Sequence, residues 1–109
     1  TEQSPVKGSV RQLKNRIKDK IEVQRNWDLF KLRFEQVHQD FFAKLRSEYP
    51  YLTPGDLRIC ALLKLNLSSK DIAGMLNISA SSVDMARYRI RKKLKLRRKD
   101  SLVDFLIEY

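Results

Sequence analysis

Apolar residues along this chain recur mostly at intervals of three and four, with charged and polar residues between them, which predicts helices throughout. The first run follows Ser9, whose spacing to Gln12 suits a capping box: Val10, Leu13, Ile17 and Ile21, separated by Arg, Lys, Asp and Glu. Val10, Leu13 and Ile17 match a and d positions of a helical seam, but Lys20 and Gln24 take the next two such places. So narrow a stripe suits either a short seam against a second chain or a solvated arm lying on its own domain. Residues 1–8, with Pro5, Gly8 and no period, are expected to be a disordered lead-in.

From Asn26 the apolar positions turn aromatic: Trp27, Phe30, Phe34, Val37, Phe41, Phe42 and Leu45, most of them on one helical face. Asn26 is a candidate cap for a new helix, with Asp28 favourable in its first turn. A base-stacking platform is one use of such a series. The spacing is better suited to a packed core, where aromatics bury large areas. Pro50 ends the segment, because the residue before a proline is steered out of the helical region.

Thr53-Pro54-Gly55-Asp56 predicts a helix start, with Thr53 as cap, Pro54 at the first position and Asp56 completing the box. Leu57, Ala61, Leu62 and Leu65 form its expected buried stripe, with Arg58 and Lys64 outward. Ser68 and Asp71 form a second box, before Ile72, Ala73 and Leu76. That helix is about two turns long and needs neighbours to hold it. Asn77-Ile78 makes a tight turn, with Ile78 as its expected buried plug, and Ser79 caps a helix over about 80–94. Val83, Ala86 (or Arg87), Ile90 and Leu94 form its inner stripe, while Ser81, Asp84, Met85, Tyr88, Arg91 and Lys92 face outward. Asp100-Ser101 starts a last helix whose Leu102, Phe105 and Leu106 either close the core or make a dimer contact.

The expected fold class is therefore all-α, in three spans: the lead-in at 1–8, a helical arm with aromatic-rich helices at 9–50, and a helix-turn-helix domain at 51–109. Two helices joined by so short a turn form a near-right-angle pair whose second member protrudes. Docked in the major groove of double-stranded DNA, its early residues reach base edges while nearby cations meet phosphates.

Charge strengthens that reading. The 109 residues carry 23 Lys and Arg against 13 Asp and Glu, a formal net charge of +10. From Arg87 to Lys99 there are nine cations in 13 residues and no acid. A polyanionic partner is implied, with an affinity that falls steeply with salt. The free N–H groups at Ser68, Ser69 and Lys70, and at Ser79 to Ser81, suit phosphate oxygens. The candidate DNA-contacting residues are Ser68, Ser69, Lys70, Ser79, Ser81, Ser82, Asp84, Met85, Arg87, Tyr88, Arg91 and Lys92. Among them Arg91 is assigned to a phosphate, and Asp84 and Tyr88 to sequence preference.

Catalytic and metal chemistry finds little support. There is no phosphate-binding glycine loop and no carboxylate pair in an apolar setting, and no cofactor is implied. The single histidine, His38, has no ligand set around it and is read as a helix-junction residue. Cys60, inside Ile59-Cys60-Ala61-Leu62-Leu63, is read as a small core residue. One cysteine permits no internal disulfide, which fits a reducing, cytoplasmic setting. No apolar run approaches membrane-spanning length, so no membrane contact is expected from this segment.

Over Leu52 to Leu96 the sequence resembles the LuxR/FixJ-type C-terminal helix-turn-helix of bacterial transcription regulators. Leu52-Thr53, the acid at Asp56, Leu62-Leu63, Ser68, Lys70-Asp71-Ile72-Ala73, Leu76, Ile78-Ser79, Ser82-Val83, Ile90 and Lys93-Leu94 carry the resemblance. The aromatic segment before it and the ending Ala86 to Leu96 are similar to the C-terminal modules of large Bacteroidetes-type sensor-regulators. The resemblance implies sequence-specific DNA binding, with the regulatory signal entering from a domain outside this chain. A homodimer on paired half-sites, formed through the arm or the last helix, is expected, and RNA polymerase is a further candidate partner. Three departures stand out. Asn66 replaces the family's usual glycine, Asp84 its usual lysine after the Ser82-Val83 position, and Ala86 its usual histidine. An acid repels phosphate, but it accepts a hydrogen bond from cytosine N4. Two other readings share the pattern: a polymerase-recruiting module like sigma-factor region 4, and an oligomerisation or protein-interaction module whose basic run is a solvated face.

Overall fold

In a computed structural model, the backbone is described for residues 5–109, and side chains for Lys18 and residues 20–109. The described residues form six helices and no strand: α1 (Pro5–Val37), α2 (Phe41–Glu48), α3 (Pro54–Lys64), α4 (Ser69–Leu76), α5 (Ala80–Lys93) and α6 (Leu102–Glu108). The chain divides into two compact units, residues 1–37 and 38–109.

The first unit is α1. The expected lead-in is helical from Pro5, and residues 1–4 lie outside the described residues, as do the side chains of Ser9, Val10, Leu13 and Ile17. Pro5 suits a first turn because its missing N–H would have no partner there. No new helix starts at Asn26. Between Gly8 and Pro50 the chain has neither Gly nor Pro, and a cap residue alone does not interrupt a continuous run. Asp28, expected as a first-turn acid, instead accepts a hydrogen bond from Gln24 Nε2 at 2.9 Å one turn earlier. Trp27, Phe30 and Phe34 stack in series, ring centroids 5.2 and 5.5 Å apart. Trp27 and Phe34 are buried, whereas Val37, at the helix end, is exposed.

The second unit is built around α3, where Leu57, Ile59, Cys60, Ala61, Leu62 and Leu63 are all buried. A helix apolar on so many sides has to be surrounded, and α3 packs against both α5 and α6, while α4 packs on α5. Phe41, Phe42 and Leu45 of α2 join this core, with Ile72, Ala73, Val83, Ala86, Ile90, Leu94, Leu102 and Leu106 from the later elements. Phe41 and Phe105 both stack against Tyr109. Leu102 and Leu106 thus close the core, and Lys64 fastens α6 by donating to the carbonyls of Leu106 and Ile107 at 3.0 and 2.9 Å. A cation at those last carbonyls also complements the helix dipole. Burial holds the Lys64 ammonium below its ordinary pKa.

In the second unit two apolar expectations fail. Leu65 is 44% exposed, because α3 ends at Lys64 and the chain turns away at Asn66, which adopts a left-handed φ of 63°. Ile78 is 42% exposed, projecting from the α4–α5 turn into an open groove that it lines with Ile59, Leu76 and Met85.

Candidate nucleic-acid interface

The helix-turn-helix is α4, a three-residue turn and α5. Ser68 caps α4 by accepting from Asp71 N at 3.1 Å, though no reciprocal bond from Asp71 completes a box. Asn77 ends α4 in the left-handed region at φ 55°, a conformation its short polar side chain tolerates. Ser79 caps α5, its Oγ accepting from Ser82 N at 3.1 Å. The same Oγ lies 3.1 Å from Ser81 Oγ and 2.8 Å from Ser82 Oγ, so three hydroxyls cluster at the start of α5. Each cap satisfies one N–H of its first turn. The remaining N–H groups there have no intrahelical acceptor and are free to meet an anion.

The inward side of α5 is Val83, Ala86 and Ile90, all buried. Opposite lie Ser81, Asp84, Met85, Tyr88 and Lys92, all exposed, with Met85 at 69% and Tyr88 at 62%. Lys92 Nζ sits 4.4 Å from the centroid of the Tyr88 ring, a cation–π contact on this outward face. The outward face therefore carries one acid and one base and is close to neutral.

The other cations of α5 are tied into the domain on both flanks. On one flank Arg89 Nη2 reaches Asp56 Oδ1 at 3.1 Å, and Lys93 Nζ reaches Asp56 Oδ2 at 2.7 Å. On the other, Arg87 Nη1 donates to Ser69 Oγ of α4 at 3.3 Å. Arg91 donates to the carbonyls of Asp100, Arg97 and Arg98 at 2.7, 2.9 and 3.4 Å, gathering the loop after α5. That loop is also closed by Asp100, which accepts from Arg97 N at 2.8 Å and pairs with Arg97 Nε at 3.3 Å. Besides Arg97, which is exposed but paired with Asp100, the loop exposes Lys95, Arg98 and Lys99, and Lys70 is exposed in the first turn of α4.

Of the twelve candidate residues, Ser68 and Ser79 are caps, and Ser69 and Arg87 hold each other. Lys70, Ser81, Ser82, Asp84, Met85, Tyr88 and Lys92 lie exposed around α5 and the start of α4. Arg91 is half-buried, and its guanidinium is occupied by backbone carbonyls. Arg91, the residue expected at a phosphate, thus holds the loop after α5.

In the sequence Asp56 was legible as a local cap and as an acid of the family pattern, but not through its partners on α5. It closes the box at α3, accepting from Thr53 N at 3.1 Å while Thr53 Oγ1 accepts from Asp56 N at 3.0 Å. It is also the only fully buried acid among the described residues, at 0% exposure. Burial works against its charge, but Lys93, the Thr53 N–H and Arg89 outweigh that and hold the carboxyl below its ordinary range. Its partners lie 33 and 37 residues away, beyond any local spacing rule.

Among the described residues no group of three His, Cys, Asp or Glu is placed to hold a metal ion, and no helix is long and apolar enough to cross a membrane. Cys60 is fully buried, and burial, reinforced by the Asp56 charge, pushes its thiol up to about 12. No curated protein and no solved structure matches the chain. A model of the family described as bacterial regulatory proteins, luxR family (GerE) matches residues 51–106. That span runs from just before the Thr53 cap to the end of the α6 core contacts and takes in half the chain. The chain accordingly belongs to the luxR family of bacterial regulatory proteins, whose helix-turn-helix is a DNA-binding domain of transcription regulators.

Proposed function

We propose that this chain binds double-stranded DNA sequence-specifically, with α5 in the major groove and Ser81, Asp84, Met85, Tyr88 and Lys92 facing the base edges. The observation that carries this reading is the division of labour on α5. Its flanking cations are tied to the domain, and the face left exposed offers hydroxyls, a carboxylate, a thioether and a phenol. These groups distinguish base pairs, whereas phosphate attraction needs only charge. Lys70, Lys95, Arg98 and Lys99 supply that charge beside the groove. Asp84 accepts from cytosine N4, so a C·G pair is expected opposite it.

The test is selection from random duplexes at moderate salt. Enrichment of a defined sequence is the expected result, and its absence excludes specific recognition. In the selected site, Asp84→Ala relaxes one base position. A uniform loss of affinity across all sequences would remove Asp84 from base reading.

Regulation enters from outside the helix-turn-helix, and α1 is its route. Ile21, Leu29 and Leu32 are 52%, 52% and 60% exposed on α1, which supports pairing of two chains through the arm. Of the competing dimer contacts, Leu102 is buried in the core of its own chain and Phe105 is half-buried. Two α5 helices would then meet half-sites whose spacing reports the arm geometry. Solution mass with and without residues 1–25 decides the matter. A dimer that becomes a monomer supports the arm, and two monomeric proteins exclude it.

A further inference from the structure

Asp56 carries an inference that rests on the groove reading and extends it. The carboxylate lies at the start of α3, is wholly buried, and faces two cations one turn apart on the same flank of α5. Arg89 and Lys93 belong to the run of nine cations that, counted along the chain, looks like a single phosphate-binding block. Arg89 has a side chain still 53% exposed, so it stands at the edge of the protein, within reach of solvent but held inward. Lys93 is 21% exposed and more fully enclosed.

We propose that Asp56 is a specificity-determining positioning residue. It withholds Arg89 and Lys93 from DNA phosphates, and it fixes the angle at which the outward face of α5 meets the bases. Both effects act on discrimination. A cation drawn to phosphate binds every sequence equally. A helix anchored through one flank at two points a turn apart cannot roll about its axis, so Asp84, Met85 and Tyr88 present to the groove in one orientation. Without the carboxylate, two charges turn outward and the roll angle loosens. Affinity for arbitrary DNA then rises while affinity for the preferred sequence falls.

The test uses the full chain and two duplexes, the sequence enriched by selection and an unrelated one, with affinities measured from 50 to 200 mM salt. Each phosphate contact adds a salt slope of about 0.9, or about 3.5-fold in affinity over that range. In the parent protein Arg89→Ala is expected to leave the slope on unrelated DNA unchanged. In an Asp56→Asn background the slope steepens by up to two contacts, an added loss of about twelvefold over that range. Arg89→Ala then removes one of them. The preference for the selected duplex is expected to drop at least tenfold in Asp56→Asn and to return in Asp56→Glu, because glutamate restores a carboxylate to Arg89 and Lys93 and also completes a capping box.

A slope that falls by about one unit on Arg89→Ala in the parent protein overturns the proposal, since Arg89 would then already be on a phosphate. So does an Asp56→Asn protein that keeps both its slope and its preference. If Asp56→Asn does not fold, the Arg89→Ala comparison in the parent still decides. Failure of the groove reading is separately visible: no duplex is then preferred by the parent protein, while the slopes on unrelated DNA still report whether Arg89 is withheld.

Discussion

Single residues in this domain serve two elements at once, and their protonation and burial make that measurable. Asp56 caps α3 and binds α5, and its carboxyl is held below the ordinary value of 3.8. A depressed folded pKa means that the stabilisation is fully present above the unfolded value and is lost as pH falls through the folded one. Unfolding midpoints followed from pH 6 down to pH 2 are expected to decline below about pH 4. In Asp56→Asn that component of the decline should be missing, on top of a lower stability throughout. Cys60 makes the opposite case. Its thiol, buried and pushed up to about 12, has almost no thiolate at neutral pH. Alkylation of the native protein should therefore proceed at the rate of unfolding, and a fast reaction at pH 7 would contradict the placement.

At the scale of elements, caps and turns decide where helices begin, and they were legible because their chemistry is local. Thr53, Ser68, Ser79 and Ser101 all cap the helices expected of them, each accepting from the N–H three residues on. Ser79→Ala is expected to cost about 1 kcal/mol in urea unfolding. Asn77 at φ 55° predicts a different pattern: Asn77→Gly stays near neutral, and Asn77→Val destabilises by roughly 1–2 kcal/mol. The inner stripe of α5 was legible too, since Val83, Ala86, Ile90 and Leu94 repeat at helical spacing. What escaped were contacts between residues distant along the chain. Periodicity places Arg91 on a face of α5 but cannot say that a loop will fold back over it. It likewise marks Ile78 as apolar without showing that the turn projects it outward. Asn26 failed for a related reason, because a cap is informative only where something has ended the helix before it.

For the molecule as a whole, the net charge of +10 overstates what DNA meets. If Lys70 and all nine cations of Arg87 to Lys99 neutralised phosphates, the salt slope would be roughly 9 per chain. With Arg89, Lys93, Arg91 and Arg97 ion-paired or carbonyl-bound, Arg87 on Ser69 and Lys92 over Tyr88, the exposed Lys70, Lys95, Arg98 and Lys99 imply roughly 4. Binding to unrelated duplexes across a salt series separates these values. Arg91→Ala should change this slope little and should instead speed amide exchange in the loop where it gathers the carbonyls of Arg97, Arg98 and Asp100.

The strapping of α5 by Asp56 and Ser69 also bears on how such a protein changes its target over evolutionary time. The positions that would choose a sequence, Ser81, Asp84, Met85, Tyr88 and Lys92, share no residue with those that anchor the helix. Mutations at these five sites can accumulate without eroding the fold, so a duplicated copy could drift to a new operator while remaining folded at every step.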